Sequence, residues 1–217
     1  MSTKIIKVDT KKGLEAGLMT AAAVIRSGGA VAFPTESFYG LGVNATDERA
    51  VQHLFHIKKR RSDQPVLILI PNRDMLDRYV ARIPETANKL IEHFWPGGLT
   101  LVFEAGPDTP QSLTGGTGRI GIRISSHPVA TGLCLNAGLP ITGTSANLSG
   151  EPAPTRAEQV VGSLGHSVDL ILDGGPTQGG KGSTILDVTV APPRILREGM
   201  VGRSDLEKFI SFAKRVK

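Results

Sequence analysis

The chain has 217 residues, 40% of them hydrophobic and 21% charged, the proportions of a globular protein long enough to bury a substantial core. No apolar run approaches the roughly 20 residues that a bilayer span needs. The N-terminal MSTKIIKVDTKKG has no apolar signal core, so the expected compartment is the cytoplasm, with no membrane partner. A formal charge of +5 points to an anionic partner, a nucleotide or a nucleic acid, while an aromatic content of 5% argues against a base-stacking platform.

In chain order, Ala16–Arg26 predicts a helix stopped by Gly28-Gly29, and a strand over Ala30–Phe33 ends at Pro34. Asp47 caps a helix that runs to Ile57, and Val66–Ile70 is a continuous apolar strand. Pro84–Phe94 predicts a helix broken by Trp95-Pro96-Gly97-Gly98, followed by a strand over Leu99–Phe103. Ile120–Ile124 is another strand. Pro128 opens a helix at its favoured first position, and Pro140–Gly143 begins the next strand. Thr155 is the expected cap of a helix over Ala157–Leu164. Strands follow at Leu170–Leu172, Thr184–Val188 and Arg194–Arg197, and Asp205–Val216 is the expected closing helix. Short apolar strands between helices predict an α/β fold with a mixed, twisted sheet, its last strands partly antiparallel. With no repeat, linker or shift of composition, one domain over residues 1–217 is expected. Cys134, set among Val129, Leu133 and Leu135, reads as a core residue. The five histidines show no i,i+4 metal pattern.

Four loops at strand ends carry chemical groups, where α/β sheets place their ligands. Pro34 to Gly42 holds hydroxyls and the Glu36 carboxylate; its bland reading is a capped turn. Lys58-Lys59-Arg60-Arg61 sets four positive charges at the mouth of an apolar strand. A bound polyphosphate would offset their repulsion, although the helix macrodipole alone also favours basic residues there. Thr142 to Gly150, dense in hydroxyl and amide groups, suits phosphate oxygens or a plain Ser- and Asn-rich turn. Gly174 to Thr184 imitates a P-loop, but Gly182 stands where a magnesium-binding Ser or Thr is needed, and a strand follows instead of a helix. Arg123 and Arg197, at the ends of strands, each require an anion: a structural carboxylate or a ligand.

Together these segments resemble the YrdC family of threonylcarbamoyl-AMP synthases. The matching motifs are AFPTESFYGLG, the Lys-x-Arg element Lys58-Lys59-Arg60, FWPGGLT, IGIRISSHP, the Ser-x-Asn element in TGTSANLSG, and GGKGSTILDV followed by ILREG. They span residues 32 to 199 in order. The resemblance implies a twisted mixed sheet flanked by helices around a large basic cavity. It also implies the conversion of L-threonine, bicarbonate and ATP to threonylcarbamoyl-AMP and pyrophosphate. A separate tRNA threonylcarbamoyl transferase complex would take the product, and whether tRNA itself is bound is left open. Implied catalytic residues are Lys58, Arg60, Ser145 and Asn147. Thr35, Arg123 and Ser183 are implied for threonine, and Lys58, Arg60, Gln64, Ser145, Ala153 and Arg197 for the nucleotide. Mg²⁺ would be carried in by ATP, with no dedicated protein metal site, and no general base is evident. Neither Lys58 nor Arg60 is expected in the core.

This sequence departs from the family pattern at Arg61, usually Pro, and at Leu69, where some members carry a threonine-side His. A sister group of the same fold lacks both Lys-x-Arg and Ser-x-Asn, which this chain retains. The alternatives are a double-stranded RNA or tRNA binder without synthase activity, and another ATP-dependent carbamoyl transferase on the same fold.

Overall fold

The computed structural model describes residues 3–213. Strand β1 (Lys4–Lys7) leads into α1 (Lys11–Arg26), whose start is fixed by Thr10, its Oγ1 accepting from the Gly13 amide at 3.1 Å. The helix thus begins five residues before the expected Ala16, because its first turn is polar and exposed. Leu18, Ala21, Ala22 and Ile25 form its buried stripe. Strands β2 (Val31–Pro34) and β3 (Tyr39–Gly42) pair antiparallel, Phe33 opposite Gly40, so part of the predicted first loop is a fully buried strand.

Asp47 caps α2 (Glu48–Ile57) as expected, accepting from the amides of Arg49 and Ala50. The predicted strand Val66–Ile70 contracts to β4 (Ile68–Leu69). The Val66 amide turns aside to the Leu113 carbonyl, outside any ladder, which shortens the strand. Then come α3 (Glu85–Phe94), β5 (Leu99–Glu104), the single turn α4 (Gln111–Thr114) and β6 (Arg119–Arg123). Pro128 opens α5 (Pro128–Ala137), followed by the short strands β7 (Ile141–Thr142) and β8 (Thr144–Ser145). Helix α6 (Ala157–Leu164) has Arg156, not Thr155, at its cap; the Thr155 amide instead donates to Gln159 Oε1 at 2.7 Å.

The last strands are β9 (Leu170–Asp173), β10 (Thr184–Asp187) and β11 (Arg194–Arg197). The expected closing helix Asp205–Val216 is a single turn, α7 (Arg203–Leu206). Residues 207–213 are not helical, and 214–216 lie outside the described residues. Tertiary packing overrides helical propensity there. Ile210 is buried, and Phe209 meets Phe94 edge-on at 5.4 Å.

The expected single sheet is two mixed sheets. One has the order β1-β9-β2-β3-β8, the other β11-β10-β5-β6-β4-β7. β10 and β11 are antiparallel as predicted, but β9 belongs to the other sheet. The main core takes residues from both sheets, such as Leu41 and Phe103, together with α2, α3 and α6. A second core joins α1 and α5 to Val31, Phe33 and Leu172. Cys134 lies in this second core as expected, and burial pushes its thiol up to about 12.

Candidate functional site

A cavity of about 710 Å³ opens between the two sheets, a size suited to small ligands. Thr35, Tyr39 and Ser145 line it from the first sheet and its loops; Thr100, Arg123 and Arg197 line it from the second. Arg60, Arg119, Arg123, Lys181 and Arg197 bring positive charge to its wall, against a single carboxylate among the described residues, Glu198. The strand period explains three of the lining positions. On β6, Arg119, Gly121 and Arg123 point into the cavity, while the intervening Ile120 and Ile122 are fully buried in the core.

The basic loop is built by the end of α2. Lys58 is the C-cap and Lys59 adopts the left-handed conformation at φ 48°. The Arg60 amide donates to the Phe55 carbonyl and the Lys59 amide to that of His56, the paired bonds of a Schellman motif. This turn separates the motif's two cations. Arg60 reaches the cavity, one Nη donating to the Pro65 carbonyl at 2.8 Å, and its buried Nε has no hydrogen-bond partner among the described residues. Lys58, expected at the surface, is 2% exposed and does not line the cavity. Its Nζ donates to the carbonyls of Ser145 at 2.5 Å and Asn147 at 2.6 Å. Burial, with Arg60 adding to it, lowers the Lys58 ammonium to about 8. Lys59 and Arg61 are exposed, and Arg61 pairs with Asp63.

In the Ser-x-Asn element, Ser145 lines the cavity and Asn147 does not. Asn147 is buried behind the wall, its Nδ2 donating to the Glu151 carbonyl at 2.6 Å. Ala153 and Thr35 line the cavity. Thr35 also closes the turn foreseen as its bland reading, Oγ1 donating to the Phe38 carbonyl at 2.7 Å. Gln64 is exposed and lies outside the lining.

Arg123 has found a carboxylate: its Nη1 is bound by Glu36, and the two side chains are only 7% and 10% exposed. Ser125 Oγ donates to the other Glu36 oxygen at 2.5 Å. Burial works against the Arg123 charge and Glu36 works for it. Its Nε is buried without a partner among the described residues, a desolvated donor that adds to the cost of burying the charge. Burial likewise lowers Arg197, which donates to the Ser183 carbonyl at 2.8 Å. Ser183 Oγ in turn meets Thr100 Oγ1 at 2.8 Å. Leu69 and Leu67 form part of an apolar floor.

Sequence reading passed over Arg119 as a lining residue, although its spacing of four from Arg123 on a strand was the available signal. Arg119 also pairs with the wholly buried Asp187 at 2.9 Å. Nothing in the chain's pattern could have foretold Lys58's interior position, which depends on a loop almost ninety residues away.

Residues 23–199 match the family model Sua5_yciO_yrdC, described as "Telomere recombination". The chain belongs to the Sua5/YciO/YrdC family. Among family relatives, it is 42% identical over 190 residues to the threonylcarbamoyl-AMP synthase of Pyrococcus abyssi, covering 88% of this chain and 56% of that protein. It is 40% identical over 214 residues to the Bacillus subtilis protein of the same name, covering 97% and 62%. This family chain thus spans about three fifths of the length of those curated relatives. The crystal structure of P. abyssi Sua5 complexed with L-threonine superposes with a TM-score of 0.91 at 38% identity, covering 97% of this chain and 61% of that one. The family's mixed α/β architecture is the one described above. Among the described residues no helix is long and apolar enough to cross a membrane.

Proposed function

We propose that residues 1–217 act as one domain that makes threonylcarbamoyl-AMP from L-threonine, bicarbonate and ATP, the first step of threonylcarbamoyl-adenosine modification of tRNA. The observation that carries this reading is the convergence of five cations on one cavity whose lining, among the described residues, holds a single carboxylate. Cations so placed await an anion with several oxygens, and a triphosphate supplies them. The name of the Pyrococcus and Bacillus relatives, and the L-threonine in the Sua5 complex, favour this substrate set over an RNA backbone.

The chemistry asks the protein for position and charge. The unprotonated threonine amine adds to the bicarbonate carbon, and water leaves as the carbamate forms. A carbamate oxygen then attacks the α-phosphorus of ATP, and pyrophosphate departs. In this reading Arg123, which lines the cavity, holds the threonine carboxylate. Arg60 and Arg197 neutralise charge along the phosphates, and Ser145 donates a hydroxyl. Among the described residues Glu198 is the single lining carboxylate, so Mg²⁺ would be held chiefly by the nucleotide's own phosphates, where it would offset their charge. The product, a mixed anhydride, passes to a tRNA threonylcarbamoyl transferase complex.

The test is pyrophosphate release with threonine, bicarbonate and ATP omitted in turn. Each omission is expected to abolish release. Release that persists without threonine, or salt-sensitive RNA binding with no release at all, overturns the reading.

A further inference from the structure

Lys58 is not placed as a phosphate ligand. It is absent from the cavity wall, and its ammonium lies within a shell of protein oxygens. The Ser145 carbonyl is at 2.5 Å, the Asn147 carbonyl at 2.6 Å and Asn147 Oδ1 at 3.5 Å. An ammonium has three N–H donors, and these three oxygens take them. No carboxylate pairs with it among the described residues.

The same residue grips the loop a second time through its backbone, the Lys58 carbonyl accepting from the Ser149 amide at 3.0 Å. The end of α2 therefore holds residues 145–149 at both ends. The left-handed turn at Lys59 is what lets residues two apart in sequence face opposite ways, Lys58 toward the loop and Arg60 toward the cavity. Ser145, the residue that Lys58 holds by its carbonyl, is on the cavity wall, and its hydroxyl makes no hydrogen bond among the described residues.

We infer that Lys58 is a positioning residue: its ammonium fixes the backbone of the Ser145–Asn147 loop, so that the Ser145 hydroxyl is held for the phosphates that Arg60 contacts. The inference rests on the nucleotide reading of the cavity, but its first test does not.

That test is reductive methylation of the wild-type protein with formaldehyde and cyanoborohydride, with and without MgATP, mapped by mass spectrometry. An exposed amine with a pKa near 8 would react faster than an ordinary lysine. Lys58 is instead expected to be modified at least tenfold less than the exposed Lys59 in both conditions. Ready methylation that MgATP suppresses would make Lys58 a direct ligand and overturn the inference.

The second test compares Lys58→Met with Arg60→Ala. Lys58→Met should speed amide exchange at Leu148 and Ser149 at least tenfold and lower kcat about tenfold or more. The salt dependence of ATP binding should stay unchanged. Arg60→Ala should weaken that salt dependence and leave exchange in the loop as it was. On a Ser145→Ala background, Lys58→Met should lower kcat less than twofold further, since both act through one hydroxyl. Equal loss of salt dependence in the two variants, with loop exchange unaltered, also overturns the inference. If Lys58→Met does not fold, the methylation pattern decides. If wild type binds no ATP, the functional reading falls while methylation and exchange still report on the clamp.

Discussion

Arg123 carries a charge into a place that would reject it alone. Glu36 supplies the opposing carboxylate, and Ser125 steadies Glu36 from the other side. Removing one member of such a buried pair leaves the other uncompensated, which typically costs about 3–5 kcal/mol. Glu36→Ala is accordingly expected to lower stability by about that amount, measured by urea denaturation; a loss under about 1 kcal/mol would mean that water replaces the carboxylate freely. Asn147 belongs to the same scale of argument. Its side chain holds the loop through the Glu151 carbonyl and lies behind the wall, out of reach of a ligand in the cavity. Sequence alone assigned Asn147 and Ser145 one shared role. The structure divides it, because Ser145 ends β8 at the cavity wall while Asn147, two residues on, turns into the protein.

At the level of elements, the end of α2 decides the geometry of the basic loop. A lysine in the left-handed region at φ 48° bears a steric cost that glycine does not, roughly 1–2 kcal/mol for an L-residue. Lys59→Gly should therefore stabilise the protein by about 1 kcal/mol, with the Schellman bonds retained and the positions of Lys58 and Arg60 unchanged. Thermal unfolding checks this, and a destabilised variant would show that the exposed Lys59 side chain makes a contact worth more than the strain. Element types were largely legible in the sequence, from the cap at Asp47 to the proline opening α5. The errors cluster where pairing, not pattern, sets the backbone. β3 has the glycine-rich pattern of a loop, and only its pairing with β2 makes it a strand. The closing helix stops short of the predicted Val216 because Phe209 and Ile210 are held by the core instead of by helical spacing.

On the scale of the whole molecule, the cavity joins two sheets that share no ladder. A ligand filling it should brace both. Nucleotide at a hundredfold excess over its Kd is expected to add about 2.7 kcal/mol to global stability. Amide protection should rise in β3 and β8 as well as in β6 and β10; protection confined to one sheet would mean that the ligand sits at an edge, not between them. The basic character of this cavity was foreseeable, since Arg60, Arg123 and Arg197 each stand where an apolar segment ends and a charge needs a partner. Likewise the alternation in Arg119-Ile120-Gly121-Ile122-Arg123 determined by itself that both arginines share a face, because strand side chains alternate whatever the partner strand. What faces that side was not in the sequence. That Glu36 meets Arg123, that Lys58 turns inward to carbonyls 87 and 89 residues away, and that Gln64 stays outside were settled by chain crossings alone. Local spacing fixes a residue's direction relative to its own strand or helix, whereas burial and partnership depend on which distant backbone closes over it.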